Sequence, residues 1–175
     1  MANGKYILAK IGQILESSSV ITEFVATVDG HSAIWVARTN PVGNAYPQIT
    51  MDIEFLGSHP VFSTQEATLT IDTWLNTGPT DDGTSQALSK LKPVNDEIVK
   101  LLNLRHGQSD GPQACISEIN IEENIGLRVS RCLKTFRKDM DWDTTSNQMF
   151  ASIAFNLVLS ENENFQKSFG DPISI

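Results

Sequence analysis

The sequence predicts an α+β domain: a mainly antiparallel β-sheet with helices packed on one face. Three observations lead there. Helical periodicity opens the chain and returns near its middle, and period-two alternation marks several segments between and after. The connections between alternating segments are too short for the crossovers that parallel strands require.

Residues 5–17 place Ile7, Leu8, Ile11, Ile14 and Leu15 on one side of a helix, with Lys10, Gln13 and Glu16 on the other. Val20 to Ala26 suits a second short helix, and Ser17-Ser18-Ser19 supplies a break and a cap. Ile34-Trp35-Val36 is a short strand, and Asn40-Pro41 and Gly43-Asn44 mark a loop. From Gln48, the residues Ile49, Met51, Ile53 and Phe55 alternate with Thr50, Asp52 and Glu54, as in a strand with one wet face. Gly57 to Pro60 turns the chain, and Leu69, Ile71, Thr73 and Leu75 alternate with Thr68, Thr70 and Asp72.

Gly78 to Ser85 reads as a loop, followed by a helix from Ser85 to Asn103 that Pro93 should kink or split into two. A loop at 105–113 precedes an alternating segment at 115–122. Residues 125–138 fit a helix or a strand; the hairpin pattern downstream favours strand at 127–138. Asp139 to Asn147 reads as a polar tip, and Ala151, Ile153, Phe155, Leu157 and Leu159 mark a closing strand. One α+β domain over 1–160 and an extended C-terminal arm over 161–175 follow, with Phe165, Phe169 and Ile173 placed to dock on a neighbour.

A chain of 175 residues buries about 70% of its unfolded surface, so a core needs no metal or disulfide. The net charge of −8 argues against gripping DNA from outside, which rests on Lys and Arg neutralising phosphates. It suits a wall that surrounds DNA without holding it. No signal peptide is expected, and no run approaches the about 18 apolar residues of a membrane helix. Cys115 and Cys132 are too few for a disulfide framework and read as reduced thiols of a protein made in a cytoplasm.

Catalytic and metal motifs fail on their key residues. Gly78 to Ser85 has the glycine spacing of a phosphate loop, but Thr84 stands where lysine is essential and Asp81 and Asp82 would repel phosphate. Asp139, Asp141 and Asp143 begin like a calcium loop, yet Thr144 replaces the glycine and Phe150 the closing glutamate. His31, His59 and His106 are scattered through expected loops, none near another histidine or a cysteine. The expectation is therefore a protein without catalytic, cofactor or metal residues.

Contact surfaces are the better candidates. Arg128, Arg131, Lys134, Arg137 and Lys138 concentrate positive charge. If extended, they split between two faces; they either meet an acidic partner or neighbouring subunit, or form a solvated face balancing Asp139, Asp141 and Asp143. Trp35 and Trp74 read as packing residues, whereas Trp142 in the acidic tip suggests a contact ring.

This arrangement resembles the tail-terminator, or tail-completion, proteins of long-tailed bacteriophages. The resemblance rests on the opening helices (Lys5 to Ala26), the loop reaching Tyr46-Pro47-Gln48-Ile49, and the strand and turn through Phe55 and Pro60. It continues with the Trp-bearing strand Ala67 to Asn76, the helix Ser85 to Asn103, and a final hairpin ending in Met149 to Ser160. It implies a non-enzymatic virion protein, assembled in the host cytoplasm, that forms a six-membered ring on the tail tube protein. Such a ring docks to a head connector or stopper and passes DNA through its lumen, with no membrane partner. Exposed strand edges suit a closed ring, and the loops at 38–47, 105–113 and 139–147 are expected at its contacts. The alternatives are another neck or tail-tube component, or a monomeric cytoplasmic adaptor binding protein through 128–143.

Overall fold

A computed structural model describes residues 4–36, 43–59, 64–77, 81–105, 108, 110–113 and 127–161. The two opening helices are α1 (Gly4–Glu16) and α2 (Ser19–Phe24). Ile7, Leu8, Ile11 and Leu15 of α1 are buried, as their spacing requires. Gly4 lets α1 start hard against the sheet: a Cβ there would lie 2.7 Å from Ile53 Cγ2. Ser18 precedes α2 but makes no side-chain cap; its hydroxyl donates instead to Glu97 Oε1 at 2.9 Å. The expected serine cap is thus replaced by a long-range tether.

Next comes a small hairpin, β1 (Thr27–Val28) and β2 (His31–Ser32), that periodicity alone does not reveal. Its signal is Asp29-Gly30: both residues sit at positive φ, 50° and 82°, matching the twist of a two-residue hairpin.

Five further strands make the main sheet: β3 (Ile34–Val36), β4 (Gln48–His59), β5 (Thr64–Trp74), β6 (Leu127–Asp143) and β7 (Gln148–Glu161). Their order is β3-β4-β5-β7-β6, antiparallel throughout except for the parallel β3–β4 pair. Between β5 and β6 lies α3 (Asp81–Leu102). The α+β class and the one-sided helix layer are as predicted. Leu69, Ile71, Ile153, Phe155 and Leu157 on the central strands are fully buried beneath Ile11, Leu15, Val94 and Ile98 of the helices.

Several boundaries differ. The helix begins at Asp81, so the expected loop up to Ser85 ends earlier. It is also one helix and not two, although Pro93 lies inside it. Pro93 and Ser89 are exposed, so the carbonyl deprived of its hydrogen bond faces water and the loss is mild. Gly57 to His59 continue β4 past a bulge between Phe55 and Gly57. His31 and His59 therefore stand in strands; His106 lies outside the described residues, as do Cys115 and the strand expected at 115–122. The ambiguous segment is strand, and it reaches Asp143: the expected polar tip shrinks to Thr144–Asn147.

Truncating the central Phe155, which is fully buried, should cost about 3–5 kcal/mol. Denaturant unfolding of Phe155→Ala with an unchanged slope would show it; a loss below about 1 kcal/mol would mean the core centre lies elsewhere.

Candidate contact surfaces

Every side chain named singly as a contact candidate within the described residues lies on β6, whereas the contact loops expected at 38–47 and 105–113 are described only at 43–47, 105, 108 and 110–113. β6 is bulged between Val129 and Arg131, Lys134 and Phe136, and Lys138 and Asp141. Each bulge shifts which side chains face the helices, which is why neither a helical nor a strict period-two reading fitted 127–138. Cross-strand partners share a face, so the pairing sorts the cations. Arg128, Arg131 and Lys138 pair with Ser160, Val158 and Ser152 on the face away from the helices. Lys134 and Arg137 pair with Phe155 and Ile153 on the helix side. The split expected of an extended segment is present.

Arg137 is a structural tie. Its guanidinium bonds Asp139 Oδ1 at 2.5 Å through Nε and Asp96 Oδ1 at 2.6 Å through Nη2, linking β6 to α3. Asn95, fully buried on α3, donates to the same Asp139 oxygen at 3.1 Å. Burial pushes the Asp139 carboxyl up, but the hydrogen bonds from Arg137 and Asn95 outweigh it and hold the group below the ordinary carboxylate range. Hydrogen bonds from Arg137 and Lys92 lower Asp96 likewise. Farther along, Cys132 donates its backbone N–H to the Leu104 carbonyl, and Lys134 its N–H to Asn103 Oδ1, so the chain leaving α3 covers the start of the β6 edge. Burial pushes the Cys132 thiol up, which suits an inert core residue.

At the tip the three aspartates have separate duties. Asp139 belongs to the tie, Asp141 accepts from Lys138 Nζ at 2.6 Å, and Asp143 accepts from the Ser146 backbone and hydroxyl, closing the turn. Hydrogen bonding holds Asp141 and Asp143 below the ordinary range too. They do not converge on a cation, and no metal-ligating cluster is found among the described residues. Trp142 is 44% exposed, with its indole N–H reaching Asn147 Oδ1 at 3.2 Å. It stands as a fixed, half-open ring. Trp74 is buried, donating to Thr50 Oγ1 at 3.0 Å and stacking on Phe150 with centroids 4.7 Å apart; Trp35 is half-buried. Phe165 and Phe169 lie outside the described residues.

The surface that sequence reasoning passed over is the sheet face opposite the helices. Register aligns its rows across the strands: Glu66–Val158–Arg131, Glu54–Thr68–Asn156–Leu133, Asp52–Thr70–Ala154–Phe136 and Thr50–Asp72–Ser152–Lys138. Carboxylates occupy β4 and β5, cations occupy β6, and uncharged β7 side chains separate them. Asp72 sits deepest: burial pushes its carboxyl up against an opposing hydrogen bond with Ser152, and its Oδ1 has no partner. The alternation of Asp52, Glu54 and Asp72 was visible in the sequence, but the opposing cations required the bulged register.

No described helix is long and apolar enough to cross a membrane. No family model and no curated protein matches the sequence. A solved structure does: the chain is similar to one in "Virion of native gene transfer agent (GTA) particle", with a TM-score of 0.53 and 12% identity. The likeness covers 87% of this chain and 93% of that one, and at this identity it is a likeness of fold.

Two carboxylate predictions of opposite sign follow. Asp96 and Asp139 are lowered in the fold, so their stabilisation is complete above about pH 4 and lost as pH falls through their folded values. Arg137→Met should destabilise at neutral pH and progressively less in acid, read by thermal melts; a penalty independent of pH would mean lost packing alone. Asp72 is raised, so its stability contribution is full below about pH 4 and lost as pH rises through its folded value. Asp72→Asn should therefore melt higher than the parent at neutral pH and level with it in acid.

Proposed function

We propose that this chain is a structural protein of a phage-like virion, and within it a tail-terminator subunit: one of six in a ring that caps the tail tube and meets the head connector. The observation that carries the reading is the fold likeness to a chain of a gene transfer agent virion, nearly end to end on both chains. A likeness spanning only a sub-motif would not separate a virion subunit from any other α+β protein. The geometry is consistent with structural work. Asp139, Asp141 and Asp143 are engaged in ties and turns, Cys132 is buried, and the Trp142 ring stands half-exposed at a hairpin tip.

In this reading the net charge of −8 keeps the subunit from adhering to DNA crossing the lumen. Trp142, whose ring orientation is already fixed by Asn147, offers contact area at little further entropic cost. The proposal assigns the chain no catalytic step and no cofactor.

Purified particles from a producing cell test the reading. Quantitative mass spectrometry should find the chain at about six copies per tail, as a closed six-fold ring requires, and labelling should place it at the head–tail junction. Copy numbers in the hundreds, with label along the tail, would make it a tube subunit; absence from particles would remove the virion reading. Trp142→Ala, and separately deletion of residues 162–175, should impair particle assembly without lowering the melting temperature.

A further inference from the structure

The sheet face opposite the helices, which has no helix layer among the described residues, is electrically divided, and the division has a direction. On β4 and β5 its side chains are Thr50, Asp52, Glu54, Glu66, Thr68, Thr70, Asp72 and Trp74: four carboxylates and no cation. On β6 Arg128, Arg131 and Lys138 supply cations, and the two carboxylates on this face, Asp141 and Asp143, are already engaged, by Lys138 and by Ser146. Between them β7 presents Ser152, Ala154, Asn156, Val158 and Ser160. Strands lie about 4.8 Å apart, so the β6 backbone stands about 10 Å from that of β5 and farther from that of β4, although the Arg131 guanidinium reaches onto β7, donating to Asn156 Oδ1 at 3.1 Å. Among the described residues no ion pair joins the two strips. Within one copy the acidic strip therefore meets no described cation, while on β6 Lys138 is paired with Asp141, Arg131 leans on Asn156, and Arg128 has no carboxylate in the described ion pairs.

The strips lie at opposite sides of one sheet. Two copies set side by side about an axis along the strands bring the β6 strip of one against the β4 strip of the next. Each copy then uses each strip once, which is the heterologous contact that closes a ring. Apolar side chains sit at the same two borders: Phe136 on β6 is 50% exposed and Leu56 on β4 is 58% exposed. They supply the desolvated centre that flanking charge pairs alone lack. Backbone pairing is a poor alternative, because bulges interrupt β6 three times and β4 once.

We infer that this divided face is the self-assembly surface: the Arg128, Arg131 and Lys138 strip of one copy docks on the Asp52, Glu54 and Glu66 strip of a second copy, with Phe136 and Leu56 at its centre. The inference deepens the ring reading and rests on it.

Sedimentation velocity of the full chain tests it, using only exposed positions for the charge changes. Wild type should associate beyond the dimer at about 50 mM salt and weaken at about 500 mM. Arg128→Glu with Lys138→Glu, or Glu54→Lys with Glu66→Lys, should each weaken association at least about tenfold, since like charges then face each other. The protein carrying all four changes should regain it, and so should an equal mixture of the two double variants. Phe136→Ser should weaken association without removing its salt dependence. Unchanged association in both double variants, a species that stops at the dimer, or a wild-type monomer at every concentration and salt would each overturn the inference. The virion reading is scored separately by particle content, so the chain's presence in particles alongside any of these results would leave that reading standing and this one refuted.

Discussion

Burial on one side only is the constraint that organises the molecule. The central strands β5 and β7 sink Leu69, Ile71, Ile153, Phe155 and Leu157 completely under helices, while the residues alternating with them are Thr68, Thr70, Asp72, Ser152, Ala154, Asn156 and Val158. Because the side-chain period of a strand is two, this choice fixes register: a slip by one residue would drive Asp72 and Asn156 into the helix layer. The same constraint leaves the opposite face without a described helix layer, so it presents mostly polar and charged side chains, with Phe136 as its exposed aromatic. The fold and its exposed surface are two results of one pattern.

The helix layer needs its own anchoring, because α3 carries an internal proline and a long polar outer side. Its grip comes from a buried stripe of Ala87, Leu91, Val94, Ile98 and Leu102, together with the Asn95–Asp139–Arg137–Asp96 tie. Burying Asn95 would be costly if its amide were unmatched; the bond to Asp139 meets part of that need, although Asn95 Oδ1 has no partner. The tie does more than hold a helix. It engages one of the five clustered cations, so that Arg137 and Asp139 belong to the scaffold, while Arg128, Arg131 and Lys138 lie on the outer face.

Legibility followed periodicity. The two opening elements, β4, β5 and β7 stood out because their apolar residues repeat cleanly, and buried positions such as Ile11, Met51 and Phe155 were named by spacing alone. β6 resisted because three bulges break its phase; no fixed period describes a strand whose side chains change face three times. Pro93 misled in the other direction, since its effect on α3 depends on which way the orphaned carbonyl faces, a tertiary matter. Asp29-Gly30 was a local signal in plain view, passed over because the flanking strands are two residues each. At the candidate surface, the acidic alternation and the basic cluster were both readable. Their assignment to opposite borders of one face was not, because that depends on β7 inserting between β5 and β6.

That strand order also decides between two ways of meeting a neighbour. An open sheet invites strand addition at its edges, and exposed edges suit the closed ring that the family resemblance implies. Here both borders carry features that discourage it: β3 covers Ile49 to Met51 of the β4 border, a bulge follows at Phe55, and the β6 border is kinked, basic and partly covered by Asn103 and Leu104. Such edges protect a monomer from uncontrolled pairing. A ring built from this chain therefore has to be specified by side chains. Side-chain specification brings a property that edge pairing lacks: like strips repel and opposite strips attract, so contacts that set one basic strip against another are disfavoured. An assembly that must close at a fixed count, and not polymerise along a free edge, is better served by the divided face than by the backbone.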